Sequence, residues 1–263
     1  MEETGAAIPL PEKPAEIAPS RAHPIPRWLA AIQALIVSGI PTQLVVVAIM
    51  MVGFRVNPFD QASLENAFSL EFMAVMLLVD TALTAVLIRV FLEMSGEDSR
   101  TVFLGKRPAL GEILRGIALA PAIIIGVSVL TLSLRQVAPW LHTVKESPYV
   151  KYMDTPLDAA VFLVVVVLGA AVKEELQRAF VLHRFEHYLG GRRVGLLVFS
   201  SLFGILHFDQ GVDVAVSIGL LGLFWGVLYL KRRNAVITMA SHATFNAAQV
   251  VQVMLARALG VSV

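Results

Sequence analysis

Three groups of polar residues in the second half of the chain could act together on a water molecule. Glu174 and Glu175 follow the apolar run "VFLVVVVLG", His207 stands in "FGILHFDQ", and "SHATFN" contains His242 and Asn246. A carboxylate or imidazole surrounded by hydrocarbon costs free energy unless a partner or water compensates its polarity. Each of these residues is therefore a candidate for function.

The residue types in these groups favour hydrolysis by an activated water molecule. Burial and a neighbouring carboxylate both make a carboxyl group a better proton acceptor, so Glu174 or Glu175 could serve as general base. His207 could share or pass on the proton, whereas His242 and Asn246 could donate hydrogen bonds to the oxyanion of a tetrahedral intermediate. The pattern predicts cleavage of an amide bond.

The spacing within these groups indicates helices that present the side chains on one face. His242 and Asn246 lie four residues apart, as do Phe203 and His207, and this spacing corresponds to one helical turn. Arg178 lies one turn from both glutamates and would favour their charged forms. We therefore expect Arg178 and Phe203 to support the site.

The composition predicts an integral membrane protein. The chain is 57% hydrophobic and 16% charged, with a mean hydropathy of +0.74, which is too apolar for an ordinary soluble domain. A formal net charge of +1 indicates no nucleic-acid partner. The absence of cysteine excludes disulfides, thiolate metal sites and a cysteine nucleophile.

Apolar windows about 20 residues long predict an all-α bundle of about seven to eight transmembrane helices. We expect a disordered, proline-rich tail over 1–27, N-terminal membrane helices over 28–154 and a catalytic core over 155–256. An amphipathic stretch at 178–189 predicts a further helix on the membrane surface. The expected spans are 28–52, 67–92, 116–134, 157–177, 194–209, 213–230 and 235–256.

Lysine and arginine predict the orientation in a cell membrane. They concentrate before the first span and in the loops between spans two and three, four and five, and six and seven. Because cytoplasmic loops carry the excess of positive charge, we expect a cytoplasmic N-terminus and an external C-terminus.

Further ionisable residues admit other interpretations. "HRFEH", His183 to His187, fits the pattern of an inverted zinc protease, but so short a pattern arises easily by chance, so we favour a packing role. Asp80, Glu71 and Arg89 lie in the second span, where contacts between helices are the first expectation. A small-solute or ion transporter using Asp80 is an alternative, although no internal repeat supports it.

In chain order, "EExxR" (174–178), "FxxxH" (203–207) and "HxxxN" (242–246) resemble the CPBP family of intramembrane proteases, which includes type II CAAX prenyl endopeptidases and bacteriocin-processing relatives. The resemblance covers roughly 155–255. It implies a helical membrane endopeptidase for peptide or membrane-protein substrates, with a cavity reached from the cytoplasm. It also implies a motif glutamate that activates water, assisted by the histidines and asparagine.

The first motif departs from the family pattern, in which three residues separate the second glutamate from the arginine. Alignment on Arg178 places Lys173 in the position of the catalytic glutamate, whereas alignment on the glutamates makes Glu174 the base. We favour Glu174 over Glu175. A non-catalytic scaffold or immunity-type protein is the alternative that Lys173 would encourage.

The cofactor prediction also has two forms. We favour a metal-free, glutamic-type reaction without a cofactor. If the protein is instead a zinc enzyme, Glu174, His207 and His242 would be the ligands, because two histidines and a carboxylate leave one coordination position open.

Overall fold

The computed structural model describes residues 24–53, 55 and 69–261, and all regular secondary structure within these ranges is helical. Most of the proline-rich tail predicted over 1–27 lies outside the described residues. The α-helices are α1 (Arg27–Val37), α2 (Ile40–Gly53), α3 (Leu70–Met94), α4 (Ser99–Phe103), α5 (Ala109–Val137), α6 (Pro156–Val165), α7 (Lys173–His187), α8 (Arg192–Ile205), α9 (Val212–Arg232) and α10 (Ala235–Ala258). A π-helical segment, Val166–Val172, joins α6 to α7, and short 3₁₀ turns occupy Pro139–Leu141, Val150–Tyr152 and Phe208–Gln210.

The first predicted span is interrupted. The predicted span 28–52, in which Pro41 predicts a kink, consists of α1 and α2 with a break at Ser38 and Gly39. Gly39 has a φ of +84°, a conformation that glycine adopts without a steric penalty. The Ser38 hydroxyl donates to the Leu35 carbonyl over 2.6 Å and closes the end of α1.

Four helical segments of the described chain are long and apolar enough to cross a membrane: α3, α5, the continuous helix Pro156–His187 and α9. This pattern is consistent with a polytopic helical membrane protein, and it does not confirm a count of seven or eight spans. Helix α8 has only 14 residues, fewer than the roughly 20 that cross a bilayer. Helix α10 is long enough, but it carries His242, Asn246 and further polar residues.

The separate surface helix predicted over 178–189 is wrong. These residues continue the membrane helix to His187, and Arg178, Phe180 and Leu182 are buried against other helices. The amphipathic pattern was misleading because the polar face of this segment meets buried polar partners rather than the membrane surface. Helix α7 therefore extends from the middle of the bundle to one of its ends.

The end of the bundle at which α7 reaches His187, hereafter the basic end, is held together by ion pairs between helices and loops. Arg184 is fully buried and pairs with Glu97, which follows α3, while its Nε donates to Gln33 of α1 over 2.8 Å. Arg232 at the end of α9 pairs with the buried Glu112 over 2.5 Å. The basic end thus fixes α1, α3, α5, α7 and α9 relative to one another.

Close helix contacts position the remaining elements. A Cβ atom added at Gly116 of α5 would lie 3.0 Å from the backbone nitrogen of Ser241 in α10. One added at Gly204 of α8 would lie 3.0 Å from the Cα of Gly219 in α9. Small residues therefore let α5 approach α10 and α8 approach α9, which brings the polar residues of α8 and α10 towards α7.

Candidate active site

His242 contacts both glutamates of the first motif. Its Nδ1 lies 3.0 Å from Oε1 of Glu175, and its Nε2 lies 3.8 Å from Oε2 of Glu174. The prediction that α7 and α10 converge at these residues therefore agrees with the geometry. Because a carboxylate only accepts hydrogen bonds, the Nδ1 of His242 must donate to Glu175, and this bond directs Nε2 toward Glu174.

The two glutamates have different surroundings. The Glu175 side chain is fully buried and forms an ion pair with Arg178, one turn further along α7. The Glu174 side chain is 20% exposed and has no arginine or lysine partner among the described residues. Glu175 is thus a fixed, compensated charge, whereas Glu174 is partly exposed.

Arg178 is held by aromatic rings as well as by its carboxylate. The guanidinium carbon lies 4.8 Å from the ring centre of Phe203, 5.3 Å from Phe199 and 5.4 Å from Trp225. Attraction between a cation and these π faces compensates the N–H groups that lack oxygen partners. Phe203 therefore supports Arg178, as the sequence suggested in general terms.

Trp225 of α9 fixes the plane of the His242 imidazole. Its ring stacks on His242 with 4.0 Å between ring centres and a 21° angle between planes. The indole N–H donates to the Ser241 hydroxyl over 3.0 Å. Sequence reasoning missed both Trp225 and Ser241. The available signal was a tryptophan in mid-span, where its N–H needs a partner.

His207 lies just beyond α8, which ends at Ile205, rather than inside a helix. Its Nδ1 lies 2.6 Å from the Phe203 carbonyl oxygen, so Nδ1 carries a proton and donates to that oxygen. The Phe203 ring contacts both imidazoles, at 4.8 Å from His207 and 6.3 Å from His242. Phe203 thus separates the two histidines.

Asn246 bonds the π-helical segment. Its Nδ2 donates to the Val166 carbonyl over 3.1 Å. A π-helical turn changes the regular α-helical hydrogen bonding and lets a carbonyl accept from elsewhere. The amide of Asn246 keeps a second N–H for another acceptor.

Lys173 faces away from this cluster. Its Nζ lies 2.7 Å from Oδ2 of Asp80 in α3, and both side chains are nearly buried. The ion pair between Lys173 and Asp80 is a contact between helices, which is the role expected for Asp80 from the sequence. This geometry favours alignment on the glutamates, because a residue at position 173 is directed to α3 rather than to His242.

One family model matches part of the chain. It is described as type II CAAX prenyl endopeptidase Rce1-like, and it matches residues 156–248, about a third of the chain. Residues 156–248, hereafter the Rce1-like domain, are the part of the chain that is similar to this family. No curated protein and no solved structure matches the chain. The Rce1-like domain is consistent with the resemblance to CPBP proteases, and at family level it implies a CAAX-type protease that acts on a protein or peptide within a membrane.

The Rce1-like domain contains every predicted site residue, but only some of them touch. Glu174, Glu175, Arg178 and His242 form one cluster, and Phe203 joins it through its ring. His207 reaches this cluster through the Phe203 ring contact. Asn246 lies one turn beyond His242 on α10 and contacts the π segment of the Rce1-like domain.

The residues of "HRFEH" in the Rce1-like domain are used in ion pairs. His183 contacts Glu97 over 3.0 Å, and Glu186 forms two bonds of 2.5 and 2.6 Å with Arg233. Hydrogen bonding to Glu186 raises the pKa of Arg233 above its ordinary value, so this pair stays charged. The contacts are those of packing at the basic end.

Zinc has no complete ligand set in the described part of the chain. No group of three His, Asp or Glu side chains lies close enough to hold a metal ion there. Glu174, His207 and His242, the alternative zinc ligands, do not form such a group among the described residues.

Proposed function

We propose that the chain is an intramembrane endopeptidase that hydrolyses a peptide bond with water activated by Glu174. The observation that carries this proposal is the asymmetry of the two glutamates around His242. Glu175, compensated by Arg178, orients the imidazole, and the partly exposed Glu174 lies at its other nitrogen. In other enzymes, too, two neighbouring carboxylates take different roles because their environments differ.

In the proposed reaction, Glu174 takes one proton from a water molecule as the oxygen attacks the scissile carbonyl carbon. The resulting oxyanion accepts a hydrogen bond from the second N–H of Asn246. When the tetrahedral intermediate collapses, the carbon–nitrogen bond breaks and the proton held by Glu174 passes to the leaving amine. The Nε2 atom of His242, 3.8 Å from Glu174, can carry that proton between the two steps, whereas His207 lies across the Phe203 ring and can exchange protons only through intervening water.

Purified protein in lipid nanodiscs offers the direct test. A quenched fluorescent peptide library should be cleaved by the wild type, and Glu174→Gln should abolish cleavage while the thermal unfolding midpoint stays near that of the wild type. Cleavage that survives Glu174→Gln and Glu175→Gln together would contradict the proposal. A zinc chelator tests the metal alternative, because the favoured reaction should be insensitive to it.

The proposal includes a multi-pass protein of the cell membrane with a cytoplasmic N-terminus. Because the chain has no cysteine, single cysteines can report the orientation without background. Arg107→Cys on the basic end should react with a membrane-impermeant maleimide only after permeabilisation, whereas Glu146→Cys should react in intact cells. The reverse labelling would overturn the orientation.

The described contacts favour neither of the other two functions. Lys173 bonds Oδ2 of Asp80 in α3 and so lies apart from the Glu174 and His242 cluster, which makes an ion-pair role sufficient to account for both residues.

A further inference from the structure

The turn that carries His207 is held by a segment outside the Rce1-like domain match. The Tyr149 hydroxyl donates to Oδ2 of Asp209 over 2.8 Å, and Asp209 lies two residues after His207. The Thr143 hydroxyl accepts the backbone N–H of Val212 over 3.1 Å. The loop between α5 and α6 thus contacts this turn from both of its sides.

His207 needs such support because it lies outside regular α-helix. Its backbone has φ −110° and ψ 17°, and the 3₁₀ turn Phe208–Gln210 follows directly. The Nδ1 bond to Phe203 orients the ring but does not fix the turn beyond it. The hydrogen bond from Tyr149 to Asp209 is formed two residues after His207, in the part of the turn that lies beyond the end of α8.

Tyr149 is itself firmly placed near the other elements of the site. Its ring lies 6.1 Å from that of Phe162 in α6, and it packs in the same cluster as Val166, whose carbonyl accepts Asn246. Burial raises the pKa of the Tyr149 hydroxyl well above its usual range, and the negative charges of Asp209 and Glu174 add to this effect. The hydroxyl therefore stays a neutral donor.

We propose that Tyr149 is a positioning residue that holds the His207 turn in its working place through the Asp209 carboxylate. This inference rests on the proposed endopeptidase function. Its chemistry requires only the phenolic O–H, since the Tyr149 ring can keep its packing when the oxygen is removed.

Tyr149→Phe tests the bond, and Tyr152→Phe is the matched control. Tyr152 lies three residues away, stacks on Phe162 at 6.1 Å, and its hydroxyl has no hydrogen-bond partner among the described residues. We expect Tyr149→Phe to lower kcat about tenfold, the loss of one oriented hydrogen bond, with KM and the unfolding midpoint nearly unchanged. Tyr152→Phe should retain wild-type kcat.

Changes at Asp209 separate positioning from general stability. Asp209→Asn keeps an accepting oxygen and should retain activity within about threefold, whereas Asp209→Leu should match the loss in Tyr149→Phe. The double variant Tyr149→Phe with Asp209→Leu should be no worse than either single variant. Wild-type kcat in Tyr149→Phe, or additive losses in the double variant, would overturn the inference.

A second readout works without any substrate. The imidazole NMR signals of His207, assigned through His207→Gln, should shift or broaden in Tyr149→Phe and remain unchanged in Tyr152→Phe. If the wild type cleaves no peptide but these signals respond, the proposed function fails and the positioning role stands. Unchanged signals in Tyr149→Phe would reject the positioning role by itself.

Discussion

Helix α7 carries two clusters of the same residue types, two turns apart, with opposite outcomes. "EELQR" at its start and "HRFEH" at its end each combine glutamate and arginine with histidine, which α10 supplies in the first case. At the basic end, Glu97, Glu186, Arg184 and Arg233 are all paired. At the start, Glu174 has no arginine or lysine partner within the described part of the chain and is partly exposed.

The comparison shows that partners, rather than residue types, determine whether a charged cluster is available for chemistry. A glutamate with two bonds to an arginine has its lone pairs occupied and its charge neutralised. A glutamate without an arginine partner has oxygen lone pairs available to accept a proton. Reactivity on α7 is therefore expected at one of its ends only.

Glutamate substitutions at the two ends should give the largest contrast. Glu174→Gln removes the proposed base and should lower kcat by about 10³-fold, within the range for general bases. Glu186→Gln at the basic end should leave kcat within about threefold. Equal losses in both variants, measured in the same nanodisc peptide assay, would remove the distinction between the ends.

The buried pair beneath the base should control stability. Glu175→Ala leaves Arg178 charged and unpaired in the interior, which should lower the free energy of unfolding by about 3–5 kcal/mol. Glu175→Leu combined with Arg178→Met removes both charges and should cost less than Glu175→Ala alone. Thermal unfolding in detergent, scored by tryptophan fluorescence, measures both. A double variant less stable than the single one would show that the charges do not act as a pair.

Acid should weaken the basic end through Glu97. Burial raises the pKa of Glu97, but hydrogen bonds from His183 and Arg184 outweigh this effect and lower it from 4.5 to about 2. The charged form is thus favoured in the folded state, so its contribution, up to about 3 kcal/mol, is complete above pH 4.5 and is lost as the pH falls toward 2.

Unfolding midpoints between pH 7 and pH 3 measure this contribution against Glu97→Gln as the matched variant. The midpoint of the wild type should fall more steeply below pH 4.5 than that of the variant. Parallel curves for the two proteins would contradict the assignment.

The smallest expected effect concerns Lys173 and decides between the two alignments. Lys173→Glu places two carboxylates together in the membrane and should lower stability by about 2 kcal/mol without raising activity. Combining it with Asp80→Lys restores opposite charges and should recover part of the loss. A gain in cleavage with Lys173→Glu would favour the alignment on Arg178 instead.

Much of the site could be predicted from three short motifs, because four-residue spacing on a helix fixes which side chains share a face. The meeting of Glu174, Glu175 and His242 was expected from the family resemblance, because spacing along one helix does not predict contacts between helices. Trp225 could not be assigned a role, since its contact with His242 depends on how α9 crosses α10. Tyr149 could not be linked to Asp209 either, because 60 residues separate them.

Parts of the fold escaped prediction for a related reason. An apolar window indicates length but not continuity, so the break at Gly39 was invisible in the hydrophobic pattern. The stretch 178–189 was assigned to the membrane surface because its polar residues suggested solvent. Their partners, including Glu97 and Gln33, belong to helices that are distant in the sequence.

The wide helical turn over Val166–Val172 has a consequence for how this protein can vary. It holds more residues per turn than an α-helix, so losing one residue there would let the ordinary winding resume. Because a π turn takes up about one extra residue with little net rotation, the helix after it would keep nearly the same side chains directed towards α10. The same deletion inside the regular part of α7 would instead turn every following residue by about 100°. Loss of one residue is therefore expected to be tolerated over Val166–Val172 and to disrupt the helix contacts elsewhere on α6 and α7.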